Sequence, residues 1–114
     1  MRVISMAEPL NEIVDDLGLT TDDIAGCLRV HKQTVERWRR SRTLPQTEVR
    51  RRLEALFAAI DHLRDTFSTV EARRSWLRQP SNYLGGFTPV EAIRAGRVDR
   101  VDADLSRLDW GIFD

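Results

Sequence analysis

Thr20-Thr21-Asp22-Asp23-Ile24-Ala25-Gly26-Cys27-Leu28-Arg29-Val30-His31-Lys32-Gln33-Thr34-Val35-Glu36-Arg37-Trp38-Arg39-Arg40 is the stretch on which the fold turns. Thr20 to Asp23 has the form of a capping box, in which a Thr hydroxyl and an acid three residues later satisfy each other's backbone N–H groups. It opens a short helix whose Ile24, Cys27 and Leu28 face inward. A second helix fits 32–41. Stepping about 100° per residue from Val35 puts Trp38 on the same side and Gln33, Glu36, Arg37 and Arg40 on the other.

Helical signals continue on both sides. Leu10, Ile13, Val14 and Leu17 form an i, i+3, i+4, i+7 stripe after Pro9, with Gly18 as a stop. Leu44-Pro45 breaks the pattern. Val49, Leu53, Leu56, Phe57, Ile60, Leu63 and Phe67 then hold a 3.6-residue stripe over about five turns. Ser68-Thr69-Val70-Glu71 reads as a second capping box, starting a helix through Leu77 that is stopped by Pro80. Thr88-Pro89-Val90-Glu91 reads as a third, with Gly96 as its stop. Val98, Val101, Leu105 and Leu108 mark a last helix over about 98–108. With no alternating β-run, the expected fold is all-α: a helix-turn-helix lobe over 1–66 and a second small helical lobe over 67–114.

The chain has 114 residues, 18 basic and 18 acidic, and a mean hydropathy of −0.41. Its longest uncharged apolar stretch is a few residues, against the ~20 a membrane span needs, and Met1 to Met6 lack the apolar core of a leader. The single Cys27 cannot close an internal disulfide, so a reducing cytoplasm is expected. The zero net charge hides segregation: residues 1–28 carry net −5, 29–52 net +7 and 53–114 net −2. A basic block between acidic flanks points to nucleic acid, or to a solvated surface paired with those flanks.

The outward face of helix 32–41 carries groups that suit a major groove, where Gln33 can pair with adenine and Arg37 or Arg40 with guanine. Lys32 and Arg39 flank it and suit phosphates, which position without specifying. His31 reads as a turn residue; Glu36 is ambiguous between accepting from cytosine and repelling phosphate. Arg50, Arg51 and Arg52 stand near the start of a helix, where the dipole disfavours cations. A phosphate backbone or pairing with Glu48, Glu54 and the acidic first helix would each favour them, and at most two can face one surface; Arg50 and Arg51 are the expected contacts.

The segment Leu19–Pro45 resembles a helix-turn-helix of the Xre/phage-repressor type: Ala25 fits the small crossing position, Val30 and Val35 the buried ones, and Trp38 an aromatic found there. Arg29 departs, standing where that family favours Gly; a positive φ there costs roughly 1 kcal/mol. Further on, Trp76-Leu77, Pro80-Ser81-Asn82, Leu84-Gly85-Gly86, Pro89, Gly96, Val101 and Gly111-Ile112-Phe113 resemble, in order, the Xre/MbcA/ParS toxin-binding domain.

That resemblance implies a type II antitoxin whose partner is a RES-domain, NAD-consuming toxin, bound over its active site, and a repressor of its own operon. It implies toxin contacts at Asn82, Tyr83 and Leu84 and along Asp109, Trp110, Gly111, Ile112, Phe113 and Asp114. A homodimer, or a larger assembly with toxin, is expected on operator DNA, since paired recognition helices meet half-sites about 34 Å apart. The aromatic tail reads either as folding back on the chain's own core or as an anchor in a partner pocket.

Leu84-Gly85-Gly86 reads as a tight turn with positive φ. His62, beside Asp61 and Asp65, reads as a solvated helix residue. With two imidazoles and one thiol, no metal spacing and no catalytic constellation can be argued, so neither enzyme activity nor cofactor is expected. Two other readings stand beside the antitoxin: a stand-alone regulator whose C-terminal lobe only dimerises, and a toxin-binding protein whose helix-turn-helix touches no DNA.

Overall fold

An α-helix ends with carbonyls that its own turns cannot satisfy, and at three helix ends of this molecule arginines from elsewhere in the chain satisfy them. The computed structural model describes residues 7–40 and 45–111 as seven helices: α1 (Ala7–Leu17), α2 (Thr21–Leu28), α3 (Lys32–Arg40), α4 (Thr47–Thr66), α5 (Val70–Leu77), α6 (Pro89–Arg94) and α7 (Val98–Asp109). Neither α1 nor α2 has a basic residue in its last turn. Arg74 and Arg78 of α5 donate instead to the carbonyls of Asp15, Asp16, Leu17 and Gly18. Arg52 of α4 donates to Leu28 O at 3.0 Å, and Arg73 to Phe67 O and Arg64 O at the end of α4. A guanidinium at a helix C-terminus both donates hydrogen bonds and opposes the negative end of the dipole.

The fold is all-α, as the pattern of the sequence implies. The capping boxes at Thr20–Asp23 and Thr88–Glu91 form in full, with both reciprocal bonds. The box expected at Ser68–Glu71 is displaced by one residue. Thr69 is the N-cap, and its hydroxyl accepts from Ala72 N–H at 3.1 Å. Phe67 remains tied to the end of α4 through Leu63 O and lays its ring 5.9 Å from that of Trp76, so Ser68 serves as the link. Of the break expected at Leu44-Pro45, Leu44 lies outside the described residues and Pro45 is buried.

Leu10, Ile13, Leu17, Ile24, Leu28, Val35, Trp38, Leu53, Leu56, Ile60, Leu63, Leu77, Ile93, Val101 and Leu105 form one continuous core. α4 packs along α7 and α2 along α6, so the two halves share apolar surface worth about 1.5–3 kcal/mol per fully buried large side chain. Gly26 makes the α2–α6 crossing close: a Cβ there would lie 2.5 Å from the Arg94 carbonyl oxygen. Arg94 Nε also meets the buried Asp23 carboxylate at 3.0 Å, tying the start of α2 to α6. No helix of the described residues is long and apolar enough to cross a membrane.

Candidate functional site

The turn between α2 and α3 positions the first candidate surface. Val30 N–H reaches Ala25 O at 3.1 Å and Arg29 N–H reaches Gly26 O at 3.4 Å, the paired bonds of a Schellman stop. That stop requires a left-handed residue, and Arg29 adopts φ 58° and ψ 46°. With Val35 and Trp38 buried, α3 turns Lys32, Gln33, Arg37 and Arg40 to the exterior. None of these four side chains forms a hydrogen bond or ion pair with another described residue. Arg39 differs: half-buried, its Nε donates to Asn11 Oδ1 at 2.6 Å and locks α3 to α1. Glu36 is half-buried beside Asn11, Arg39 and Arg40.

At the start of α4 the three arginines part company. Arg52 turns inward, to Leu28 O and to Glu48 at 3.1 Å. Arg50 and Arg51 are exposed, and among the described residues the Arg50 guanidinium donates only to Pro45 O, at 3.4 Å. The capping of α2 by Arg52 accounts for one cation that the helix dipole disfavours. Two remain for another ligand.

The second candidate surface lies on the other half. Gly85 and Gly86 have φ 70° and 88° and close a turn in which Gly86 N–H meets Ser81 O at 2.8 Å. The turn is fastened to α7. Ser81 Oγ donates to the buried Asp104 at 2.7 Å, and Arg107 Nη1 meets the same carboxylate at 3.2 Å. Two guanidiniums lie over the Tyr83 ring, Arg100 at 4.7 Å and Arg107 at 4.5 Å, and each such cation–π contact is worth about 0.5–2 kcal/mol. Asn82 is exposed, while Leu84 is buried at the base of a groove of about 490 Å³. Phe87, 61% exposed, stands on its rim with Glu91, Arg97 and Arg100. Phe87 escaped notice in the sequence because nothing local marks an exposed aromatic.

At the far end of α7 the structure departs from the reading of His62 as a solvated helix residue. Its ring bridges two carboxylates of α7, Nδ1 at 2.7 Å from Asp102 and Nε2 at 2.6 Å from Asp109. Thr66 Oγ1 donates to the other Asp109 oxygen at 2.8 Å. The hydrogen bond to Asp102 raises the His62 pKa above 6.5, partial burial opposes this, and the bond to Asp109 raises it further. Conversely, the His62 bond, then the Thr66 bond, hold the Asp109 carboxyl below its ordinary value. Trp110 follows directly and is 83% exposed; Gly111 is exposed beside it. Ile112, Phe113 and Asp114 lie outside the described residues. Cys27 is buried between the halves, and desolvation pushes its thiol up to about 11.

Residues 62–111, which carry the turn, the groove and the His62 bridge, match the family described as the antitoxin Xre/MbcA/ParS C-terminal toxin-binding domain. That region of the chain is similar to the toxin-binding domain of the Xre/MbcA/ParS antitoxins. It is 26% identical over 113 residues to the Mycobacterial cidal antitoxin MbcA of Mycobacterium bovis and of Mycobacterium tuberculosis, covering 99% of this chain and 99% of each relative. Its fold is similar to a chain in the crystal structure of the M. tuberculosis MbcT–MbcA toxin–antitoxin complex. The TM-score is 0.71 at 24% identity, covering 98% of this chain and 100% of that one. The family match begins at His62, inside α4, and therefore includes the last turn of that helix together with α5, α6 and α7.

Proposed function

We propose that this chain is an antitoxin of the Xre/MbcA/ParS family that neutralises a RES-domain, NAD-consuming toxin by covering its active site, and that the same chain represses its own operon through α3. Residues 67–114 carry the first activity and 1–66 the second, although both draw on one core. The observation that carries the toxin-binding reading is Trp110. A tryptophan 83% exposed at the end of an otherwise well-fastened helix is a large apolar surface facing water, and buried aromatics dominate the energetics of interfaces. Asn82, Tyr83 and Leu84, fixed to α7 through the contacts of Arg100 and Arg107 with the Tyr83 ring, form the second part of the proposed contact. Ile112, Phe113 and Asp114 extend the first. The name of the similar solved complex, a toxin with its antitoxin, supports a protein toxin as partner.

Operator binding is supported by the outward set Lys32, Gln33, Arg37 and Arg40, which no described residue engages, and by the exposed Arg50 and Arg51. Removing residues 110–114, which leaves the Asp109 bonds in place, is expected to abolish protection in co-expression with the toxin while the melting curve stays unchanged. Full protection by the shortened chain would sink the anchor. Operator affinity is expected to fall steeply with added salt as counterions are released; a flat response would remove DNA from the reading and leave a toxin-binding protein alone.

A further inference from the structure

Asp109 is the last residue of α7, where a surface helix ordinarily frays. Here its carboxylate is held from both sides by α4: His62 Nε2 at 2.6 Å on one oxygen, Thr66 Oγ1 at 2.8 Å on the other. The imidazole is itself held from behind, Nδ1 at 2.7 Å from Asp102, one and a half to two turns earlier on α7. Carboxylates only accept, so both ring contacts are hydrogen bonds only when both nitrogens carry protons; a neutral imidazole has one N–H and sets a lone pair against the second oxygen. The charged groups around the ring favour the doubly protonated form. Asp102 and Asp109 face it from α7, Asp61 and Asp65 flank it on α4, and Arg64 is turned to Asp61 and Glu12.

The residue after this carboxylate is the exposed Trp110. We infer that His62 and Thr66 are positioning residues for toxin binding: the clasp they close on Asp109 sets the direction in which Trp110 and Gly111 leave α7. This rests on the toxin-binding reading of Trp110. Fixing a segment in its bound direction removes part of the ordering entropy that binding otherwise has to offset. The clasp is also proton-dependent. A group whose folded pKa lies above its unfolded value contributes fully below about 6.5 and loses its contribution as pH rises through the raised value. The clasp is therefore closed in mildly acidic solution and loosens on the alkaline side.

The test uses the full chain, His62→Gln and Thr66→Val, with two readouts. In the free protein, the Trp110 amide and indole resonances are expected to move with pH at the same midpoint as the His62 ring, above 6.5, and to be pH-independent in His62→Gln. Against a purified RES-domain toxin at pH 6, His62→Gln is expected to bind about tenfold more weakly and Thr66→Val about threefold, with the deficit of His62→Gln relative to wild type shrinking toward pH 9. Thr66→Val keeps the ring and guards against a merely misfolded His62 variant. Trp110 resonances that ignore His62, or a folded His62→Gln chain that binds as wild type at pH 6, overturn the positioning role alone. A wild-type chain that fails to bind the toxin overturns the toxin-binding reading itself.

Discussion

The polar faces of α3 and α7 have opposite fates. On α3, Lys32, Gln33, Arg37 and Arg40 project from the surface without a partner among the described residues. On α7, Arg100, Asp102, Asp104, Arg107 and Asp109 are all engaged, with Tyr83, His62, Ser81 and Thr66 among their partners. An unengaged row of donors is what a helix needs to read an external ligand. An engaged row makes a rigid strut, and what a strut can offer a partner is whatever stands at its end or beside it. Here that is Trp110 at one end and the Phe87 groove beside the other. α3 is thus suited to be a reader and α7 a mount, and substitutions on the two faces should fail in different ways.

The largest effect is expected where the faces share a support. Leu105, fully buried on α7 within the common core, should lose about 2–5 kcal/mol on truncation to Ala through lost transfer energy and the cavity left behind. Because α4 packs along α7 and α2 along α6, thermal unfolding followed by far-UV circular dichroism should shift as one transition. A variant in which the α7 half melts while the α2–α3 half persists would break the idea of one core. Gly26→Ala should act similarly from the other side, by about 1–3 kcal/mol, since its new methyl meets the Arg94 backbone rather than a yielding side chain.

What the sequence disclosed and what it withheld follow from the range of the interactions. Capping boxes, the glycine turn and the strained Arg29 are local. Each is set by residues within four or five positions, and the resulting helices come out nearly as the periodicity implies. The exception at Thr69 is one residue long and traces to Phe67 packing on Trp76, a contact that periodicity does not encode. The role of His62 was hidden because its partners lie 40 and 47 residues further on; flanked by Asp61 and Asp65, it looked like any solvated helix position. The same distance concealed the capping of α1 by Arg78, 61 residues from Leu17. It also concealed part of the division of labour among Arg50, Arg51 and Arg52, since Arg52 donates to Leu28 O as well as to the local Glu48. For the outward face of α3, helical geometry alone separates the exposed residues from the packed ones. Arg39, expected at the flank, also serves as a tie to Asn11.

The contrast between reader and mount sharpens with Gln33→Ala and Arg37→Ala. Each should weaken operator binding by about 1–3 kcal/mol in gel-shift or anisotropy titrations. Both side chains are exposed, so stability should stay within about 0.5 kcal/mol of wild type. Toxin affinity should not change. Arg39→Ala is the informative control, since losing the bond to Asn11 removes a structural tie as well as a cation. It should lower the melting temperature where Arg37→Ala does not. Equal melting temperatures for the two would mean that the Asn11 bond contributes nothing to holding α3.

The smallest expected effect concerns the joint between the packed α2 and the reading α3. Arg29 holds φ 58° because the Schellman stop at the end of α2 demands a left-handed residue, and an L side chain there is strained by about 1 kcal/mol or slightly more. Glycine removes the strain but adds backbone freedom to the unfolded chain, which takes back part of the gain. Arg29→Gly should therefore raise the melting temperature by about 2 °C, since a full 1 kcal/mol is worth about 4 °C in a chain of this size. Arg29→Ala tells strain from charge, since it removes the same guanidinium yet keeps a Cβ in the left-handed region. If the backbone is what strains this turn, only the glycine variant gains. If the alanine variant gains equally, repulsion within the basic block is the cause, and the joint is an electrostatic feature of the reading surface rather than a conformational feature of its support.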